Sequence, residues 1–300
     1  MSHPTLTRRQ FIGRTAALAS LAWLQPPLTA AAKRTAVDQV TLGKTGIKLS
    51  RLGFGTGSNS GNVQRALGQE AFNKLIHYAY DQGITYFDAA MSYRTHEWIG
   101  AAIKGLPREK LFLQTKIGGV PEKPLEVIDK IRQTYDTDYM DTLLVHCTVK
   151  KDWDDERKRM MDAVSEAQSR KWVRARGVSC HSLPALDLAA KLDWVQVNLV
   201  RVNPQGAHID TPAEDWTAKS DASHLPSVLT ELKAMKEKGH GVIGMKMIGD
   251  GDFTQAEDRE KAIRYAISLK ELDAVVIGFK STAEIDEAIQ RMNRALAETA

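Results

Sequence analysis

The chain has 300 residues, 43% of them hydrophobic, with 41 Lys and Arg against 37 Asp and Glu. That length allows one large domain or two small ones, and the apolar share supports a full core. The formal charge of +4 falls to +1 without residues 1–32, which hold Arg8, Arg9 and Arg14 and no acid, so the remainder lacks an electrostatic footprint for nucleic acid or anionic lipid.

Thr7-Arg8-Arg9-Gln10-Phe11-Ile12 resembles the twin-arginine export motif. A modest apolar run follows from Thr15 to Leu24, then the helix-breaking Pro26-Pro27, then the small residues Ala30-Ala31-Ala32 that a signal peptidase needs. The run is roughly half the ~20 residues needed to span a bilayer, so it is no permanent anchor. The resemblance implies a leader over 1–32, passage through the twin-arginine (Tat) export machinery in folded form, and a periplasmic body beginning at residue 33. Export of folded protein commonly serves chains that load a cofactor first.

Residues 33–300 show no Pro/Gly/Ser-rich linker and no shift in composition, which points to one domain. Gln39–Leu49 reads as a β-hairpin turning at Lys44-Thr45-Gly46. Eight short β-like runs follow: Arg51–Gly55, Thr85–Ala89, Leu111–Ile117, Thr142–Cys147, Val173–Ser179, Trp194–Leu199, Gly241–Met247 and Ala274–Gly278. Between them lie amphipathic stretches such as Gln69–Asp81, Lys123–Thr134 and Leu225–Lys238, with apolar residues three and four apart. Eight βα units in about 250 residues fit a (β/α)8 (TIM) barrel of the α/β class better than an open doubly wound sheet, with the hairpin closing the barrel bottom. The longest structureless piece, Arg201 to His224, is where an active-site loop is expected.

In such a barrel the chemistry sits at the C-terminal strand ends. The second strand ends at Asp88 and its loop carries Tyr93; the third ends at Lys116; the fourth ends at His146 after a buried apolar run. A phenol near its ordinary pKa of about 10 releases its proton reluctantly at neutral pH. A neighbouring ammonium lowers that pKa, and a carboxylate keeps the ammonium charged and in place. The expectation is that Lys116 tunes Tyr93, Asp88 holds Lys116, and His146 orients a substrate oxygen. No side chain donates hydride, so a nicotinamide is implied.

Leu42-Gly43-Lys44-Thr45-Gly46, Leu52-Gly53-Phe54-Gly55-Thr56, Phe87-Asp88-Ala89-Ala90-Met91-Ser92-Tyr93, Gln114-Thr115-Lys116, Asp141 to His146 and Gly177-Val178-Ser179 together resemble the aldo-keto reductase family over essentially all of residues 33–300. The family's set of an Asp, a Tyr five residues on, a Lys and a His is matched by Asp88, Tyr93, Lys116 and His146. The resemblance implies an oxidoreductase acting on a small-molecule carbonyl or alcohol. It also implies that Gly55, Thr56, Ser179 and Gln196 lie against the nicotinamide and that Lys246 to Gly251, Gly249 included, wraps the pyrophosphate. Gly278, Lys280, Ser281 and Thr282 would open the last helix, with Lys280 and Ser281 on a 2′-phosphate and Glu287 at the adenine. NADP is the implied cofactor, with NAD also open. Three positions depart from the family: Cys180 stands where an Asn usually binds the carboxamide, Met245 or a neighbour replaces an aromatic ring, and Glu284 falls about where an Arg often grips the 2′-phosphate.

Gly53-Phe54-Gly55-Thr56-Gly57 lacks the third glycine and the later acid of a Rossmann fingerprint. His146-Cys147 and Cys180-His181 end neighbouring strands, but adjacent strand residues face opposite ways, which argues against a metal site. Cys147 and Cys180 read as two separate thiols ahead of a disulfide, although export would permit one. Trp153 and Trp216 lie in loops, where they either line a pocket or pack beneath it. Against the enzyme stands a barrel that holds the nucleotide and reports redox state to a partner, and, more weakly, a Schiff-base aldolase using Lys116; the intact tetrad favours the enzyme.

Overall fold

The computed structural model describes residues 34–299; the leader read at 1–32 lies outside them. Strand β1 (Gln39–Thr41) pairs antiparallel with β2 (Lys48–Ser50), Gln39 opposite Ser50. The link is a 3-10 turn over Gly43–Thr45 that ends on Gly46 at φ 72°, a left-handed conformation that glycine adopts without penalty. The Thr45 hydroxyl locks this turn, donating to Leu42 O at 2.7 Å and accepting from Ile47 N at 3.1 Å. A Cβ on Gly43 would stand 2.3 Å from Gly241 N, so the hairpin seats against the barrel only because that residue is glycine.

Eight parallel strands follow: β3 (Leu52–Gly55), β4 (Tyr86–Asp88), β5 (Phe112–Gly118), β6 (Met140–Thr148), β7 (Val173–Cys180), β8 (Val197–Arg201), β9 (Gly241–Met245) and β10 (Ala274–Gly278). They close into a barrel in the order β10-β3-β4-β5-β6-β7-β8-β9, with a helix in every connection. This is the (β/α)8 fold expected, capped by the expected hairpin. Leu42, Ile47 and Leu49 from the hairpin segment join Tyr86, Phe112, Leu144, Val197 and Ile243 in an inner apolar cluster that fills the lower barrel. The alternate residues, among them Phe87, Leu113, Leu143, Val145, Val275 and Ile277, face outward into a second cluster beneath the helices. Strands buried on both faces must read as continuous apolar runs, which is why these segments stand out in the sequence.

Strand parity decides what reaches the mouth. Along β5, Phe112, Gln114 and Lys116 share the inner face; along β6, Thr142, Leu144 and His146 do. After His146 the register slips: His146 pairs with Ser179 and Thr148 with Cys180, leaving Cys147 as a bulge residue at φ 57°. Such bulges bend a strand and re-aim its neighbours. The sixth barrel strand starts three residues later than expected, because Val195 N bonds back to Leu192 O and Trp194 Nε1 donates to Ser165 Oγ. It ends at Arg201, whose guanidinium donates to Asp210 Oδ1 at 2.7–2.8 Å, to His181 O at 2.6 Å and to Trp216 O at 3.4 Å. That buried pair anchors the long loop to the mouth. No helix among the described residues is long and apolar enough to cross a membrane.

Candidate active site

Lys116 is fully buried and its three N–H bonds are all committed: to Asp88 Oδ1 at 2.6 Å, Asp88 Oδ2 at 2.7 Å and Ala89 O at 2.7 Å. Gln114, one inward position below, donates to Asp88 Oδ1 at 2.8 Å and to Tyr86 Oη at 2.7 Å, and accepts from Thr142 at 2.9 Å. A polar network thus rises through the barrel and ends in one ion pair at the mouth. Thr56 is buried behind it, its hydroxyl bonded to Asp88 O and to Thr95 Oγ1, both at 2.8 Å. Thr56 therefore fixes the Asp88 backbone and does not line the groove.

Tyr93 closes a 3-10 turn (Met91–Tyr93) just after β4. Its ring lies under the Lys116 ammonium, 5.0 Å from Nζ to the ring centroid, and meets the His146 ring edge-on at 5.7 Å. Two glycines make room for it. A Cβ on Gly57 would come within 2.6 Å of Tyr93 Cε2 and Cζ, and one on Gly61 within 2.4 Å of Tyr93 O. The four side chains singled out in the sequence are thus brought together in one place.

The electrostatics differ from the sequence expectation in one respect. Burial, seconded by the Asp88 carboxylate, pushes the Tyr93 phenol well above its usual range. Lys116 gives the phenol no hydrogen bond, because all three of its hydrogens are held by Asp88 and Ala89. Tyr93 is therefore a fully protonated phenol at neutral pH. His146 is pushed down to about 3 by burial and by the Lys116 and Lys246 charges, so it is a neutral imidazole. A second neutral imidazole, His181, stands edge-on to His146 at 5.8 Å, with Nε2 3.3 Å from Ser179 Oγ.

From Tyr93 and Asp88 a groove of about 460 Å³ runs past Met245–Ile248 and Gly251 to Lys280, just before the last helix, and to Glu284, Glu287 and Arg291 on it. Backbone is bared along it at Gly55, Gly57, Gly251 and Gly278; a Cβ on Gly278 would strike Ser58 Oγ at 2.0 Å. An elongated groove with exposed backbone, basic side chains and a redox-type tetrad at one end suits a dinucleotide. Lys246, Gly55, Gly278, Lys280, Glu287 and Met245 line it. Gly249 supports the loop from behind at φ 59°, packed on the Phe253 ring. Ser281 is used as the helix cap, accepting from Glu284 N at 3.3 Å, and Thr282 is the exposed first helical residue.

Two expectations are corrected, Thr56 as described above and Gln196. Gln196 does not reach the nicotinamide end: it precedes β8 at the opposite, N-terminal end of the barrel, where its Oε1 accepts from Gln168 Nε2 at 2.9 Å and Arg176 N at 3.0 Å. The β8 residue that lines the groove is Leu199. Cys180 likewise cannot stand in for a carboxamide ligand, because it faces outward into the core and contacts Thr148 Oγ1 and Ala185 O at 3.4 Å. Cys147 and Cys180 are both free thiols. Trp153 is packed at 0% exposure, donating to Ala185 O, whereas Trp216 is 59% exposed. Arg259 and Arg291 line the groove from surrounding helices; no linear signal marks them, but the inward alternation of Val197, Leu199 and Arg201 was there to identify Leu199.

Fold and mouth together define a (β/α)8 barrel built for chemistry at its C-terminal strand ends. Residues 51–294 match the model of the Aldo/keto reductase family, and the chain belongs to that family. It is 33% identical over 108 residues to an aldehyde reductase of Saccharomyces cerevisiae (35% of this chain, 32% of that one). It is 23% identical over 295 residues to the L-galactose dehydrogenase of Arabidopsis thaliana (85% of this chain, 88% of that one). Two other plant relatives are spanned over only 28% and 59% of their lengths. The holo form of an aldo-keto reductase from Bacillus halodurans shares the fold at a TM-score of 0.66 and 17% identity, covering 88% of this chain and 96% of that one.

Proposed function

We propose that the protein is a nicotinamide-dependent oxidoreductase that interconverts a small aldehyde or ketone with its alcohol, with Tyr93 as the proton-transfer group. The observation that carries this reading is the convergence of a protonated phenol, a neutral imidazole and a buried Lys116–Asp88 pair at one end of a groove shaped for a dinucleotide. A bound nicotinamide supplies the hydride. His146, neutral and beside Tyr93, donates one hydrogen bond to the substrate oxygen and sets its distance from the phenol. As the carbonyl carbon gains hydride, its oxygen becomes an alkoxide and takes the Tyr93 hydroxyl proton; the phenolate is then reprotonated from solvent. A raised phenol still suffices, because an alkoxide's conjugate acid is about as weak as water and so a far weaker acid than a phenol. Lys116 lies over the Tyr93 ring and steadies the phenolate through space, while Asp88 keeps the ammonium charged.

The named activity of the Arabidopsis relative suggests that aldoses belong in the substrate panel beside simple aldehydes. By the leader at 1–32, the site of action proposed is the periplasm after Tat export. Tyr93→Phe should lower kcat/KM for carbonyl reduction by roughly 10²–10⁴-fold, the usual worth of a positioned acid, with nucleotide affinity unchanged. Equal measurable rates in wild type and variant would remove Tyr93 from the proton transfer, and no turnover by the wild type would leave the non-turnover nucleotide-binding module as the surviving reading.

A further inference from the structure

The catalytic tetrad fixes which end of the groove receives the reacting ring, so the adenosine end of a dinucleotide falls at the other, among Arg259, Lys280, Glu284, Glu287 and Arg291. The basic residues there are already matched by acids in the same wall. Glu284 turns back over the start of its helix: Oε2 accepts from Lys280 N at 2.9 Å, and Oε1 stands 3.8 Å from Lys280 Nζ. Arg259 donates to both Glu287 oxygens, at 2.9 and 3.3 Å, and to the carbonyls of Phe253 and Thr254. Arg291 bonds Glu287 Oε1 at 2.8 Å and also Glu260. Nearer the tetrad, Lys246 pairs with Asp250 at 2.8 Å.

We infer that Glu284 selects a nucleotide whose adenosine ribose carries free hydroxyls, NAD, over one bearing a 2′-phosphate, NADP. The inference rests on the nicotinamide reading above. A phosphate monoester carries about −1.5 to −2 charges at pH 7 and needs unmatched donors. Here Lys280 and its backbone N–H already serve Glu284, and any phosphate that drew Lys280 away would leave a carboxylate facing it. Two ribose hydroxyls have the opposite requirement: each is a donor, and the Glu284 side chain, 36% exposed on the groove, is acceptor-only when ionised. The charge that repels one nucleotide is the acceptor that holds the other.

Equilibrium binding tests this without turnover. Isothermal calorimetry on the purified full-length protein should give NAD⁺ at least a tenfold lower Kd than NADP⁺, and 5′-AMP a lower Kd than adenosine 2′,5′-bisphosphate. Glu284→Gln, which keeps side-chain length and the acceptor for Lys280 N, should strengthen NADP⁺ binding about tenfold and weaken NAD⁺, with the thermal midpoint recorded to confirm folding. Tighter NADP⁺ binding by the wild type, or an unchanged ratio in the variant, would overturn the assignment of Glu284 while leaving the nucleotide site intact. Failure of all four compounds to bind would remove the nucleotide reading itself.

Discussion

Replacing Lys116 by methionine keeps the length of the side chain and removes its charge, leaving the Asp88 carboxylate buried with Gln114 as its remaining side-chain partner. At 2.6 Å and an effective dielectric constant near 20, the lost attraction is about 6 kcal/mol, most of which offsets the desolvation of the two ions in the intact protein. Removing one partner exposes that desolvation cost alone, and the expected loss of stability is about 3–5 kcal/mol. Asp88→Asn/Lys116→Met should regain more than half of it, because the amide oxygen still accepts from Gln114 and no charge is left buried; the carbonyl of Ala89 stays unpaired in both. Urea denaturation followed by circular dichroism, with the slope checked for constancy, reads the difference. Both variants should lack carbonyl reduction, so recovery of stability without activity separates the two roles of the pair. If the double mutant loses the sum of the single losses within about 0.5 kcal/mol, the two groups are uncoupled and the reasoning fails.

Gly57→Ala drives a Cβ against the Tyr93 ring at 2.6 Å, so the phenol must shift; kcat/KM should fall about 10²-fold, the scale of a 1 Å misplacement, while the melting temperature changes little. An unaltered kcat/KM would mean that Tyr93 is not placed by this contact. Burial, with Lys116 adding repulsion, holds His96 at about 4 and His146 at about 3. Both lie below the unfolded value of about 6.5, so the unfolded chain binds more protons and stability falls as pH drops through that value, by roughly 2 kcal/mol per histidine at pH 5. Asp210, raised to about 6 by burial, works in the opposite direction: its folded form keeps a proton that the unfolded carboxyl releases, so its contribution grows as pH falls below 6 and is lost above. His96→Phe should therefore reduce the drop in unfolding free energy between pH 7.5 and 5 by roughly 2 kcal/mol. A drop of the same size in wild type and variant would refute the assignment.

The architecture was legible because each barrel strand is buried on two faces and each helix on one, and both patterns survive in a single sequence. The helices Gln69–Asp81 and Leu225–Lys238 have the bounds that periodicity indicates. Leu52–Gly55 and Ala274–Gly278 lie next to each other in the closed barrel although more than two hundred residues separate them, and counting eight βα units sufficed to anticipate the closure. The start of β8 was less legible, since Trp194, Val195 and Gln196 suit a strand by composition. Their backbone and side chains instead bond to the preceding turn and to Gln168 and Arg176.

That displacement explains the main error at the site. With the strand expected to end at Leu199, Gln196 was placed by resemblance alone; with Arg201 as the true end, Val197, Leu199 and Arg201 take the inner face and Gln196 falls to the far rim. The same parity turns Ser179 inward and Cys180 outward, so the departure at Cys180 removes a ligand from the groove and puts a thiol in the core. Leu199 and Met245 then give that part of the groove an apolar wall, while the tetrad and the far charged end keep their polar groups. On the nicotinamide reading, this arrangement would place nucleotide discrimination at the charged end, far from the chemistry at Tyr93. Changes at Glu284 should therefore move nucleotide affinity and leave the pH dependence of proton transfer at Tyr93 where it was; a shift of that pH profile in Glu284→Gln would show that the two ends of the groove are coupled.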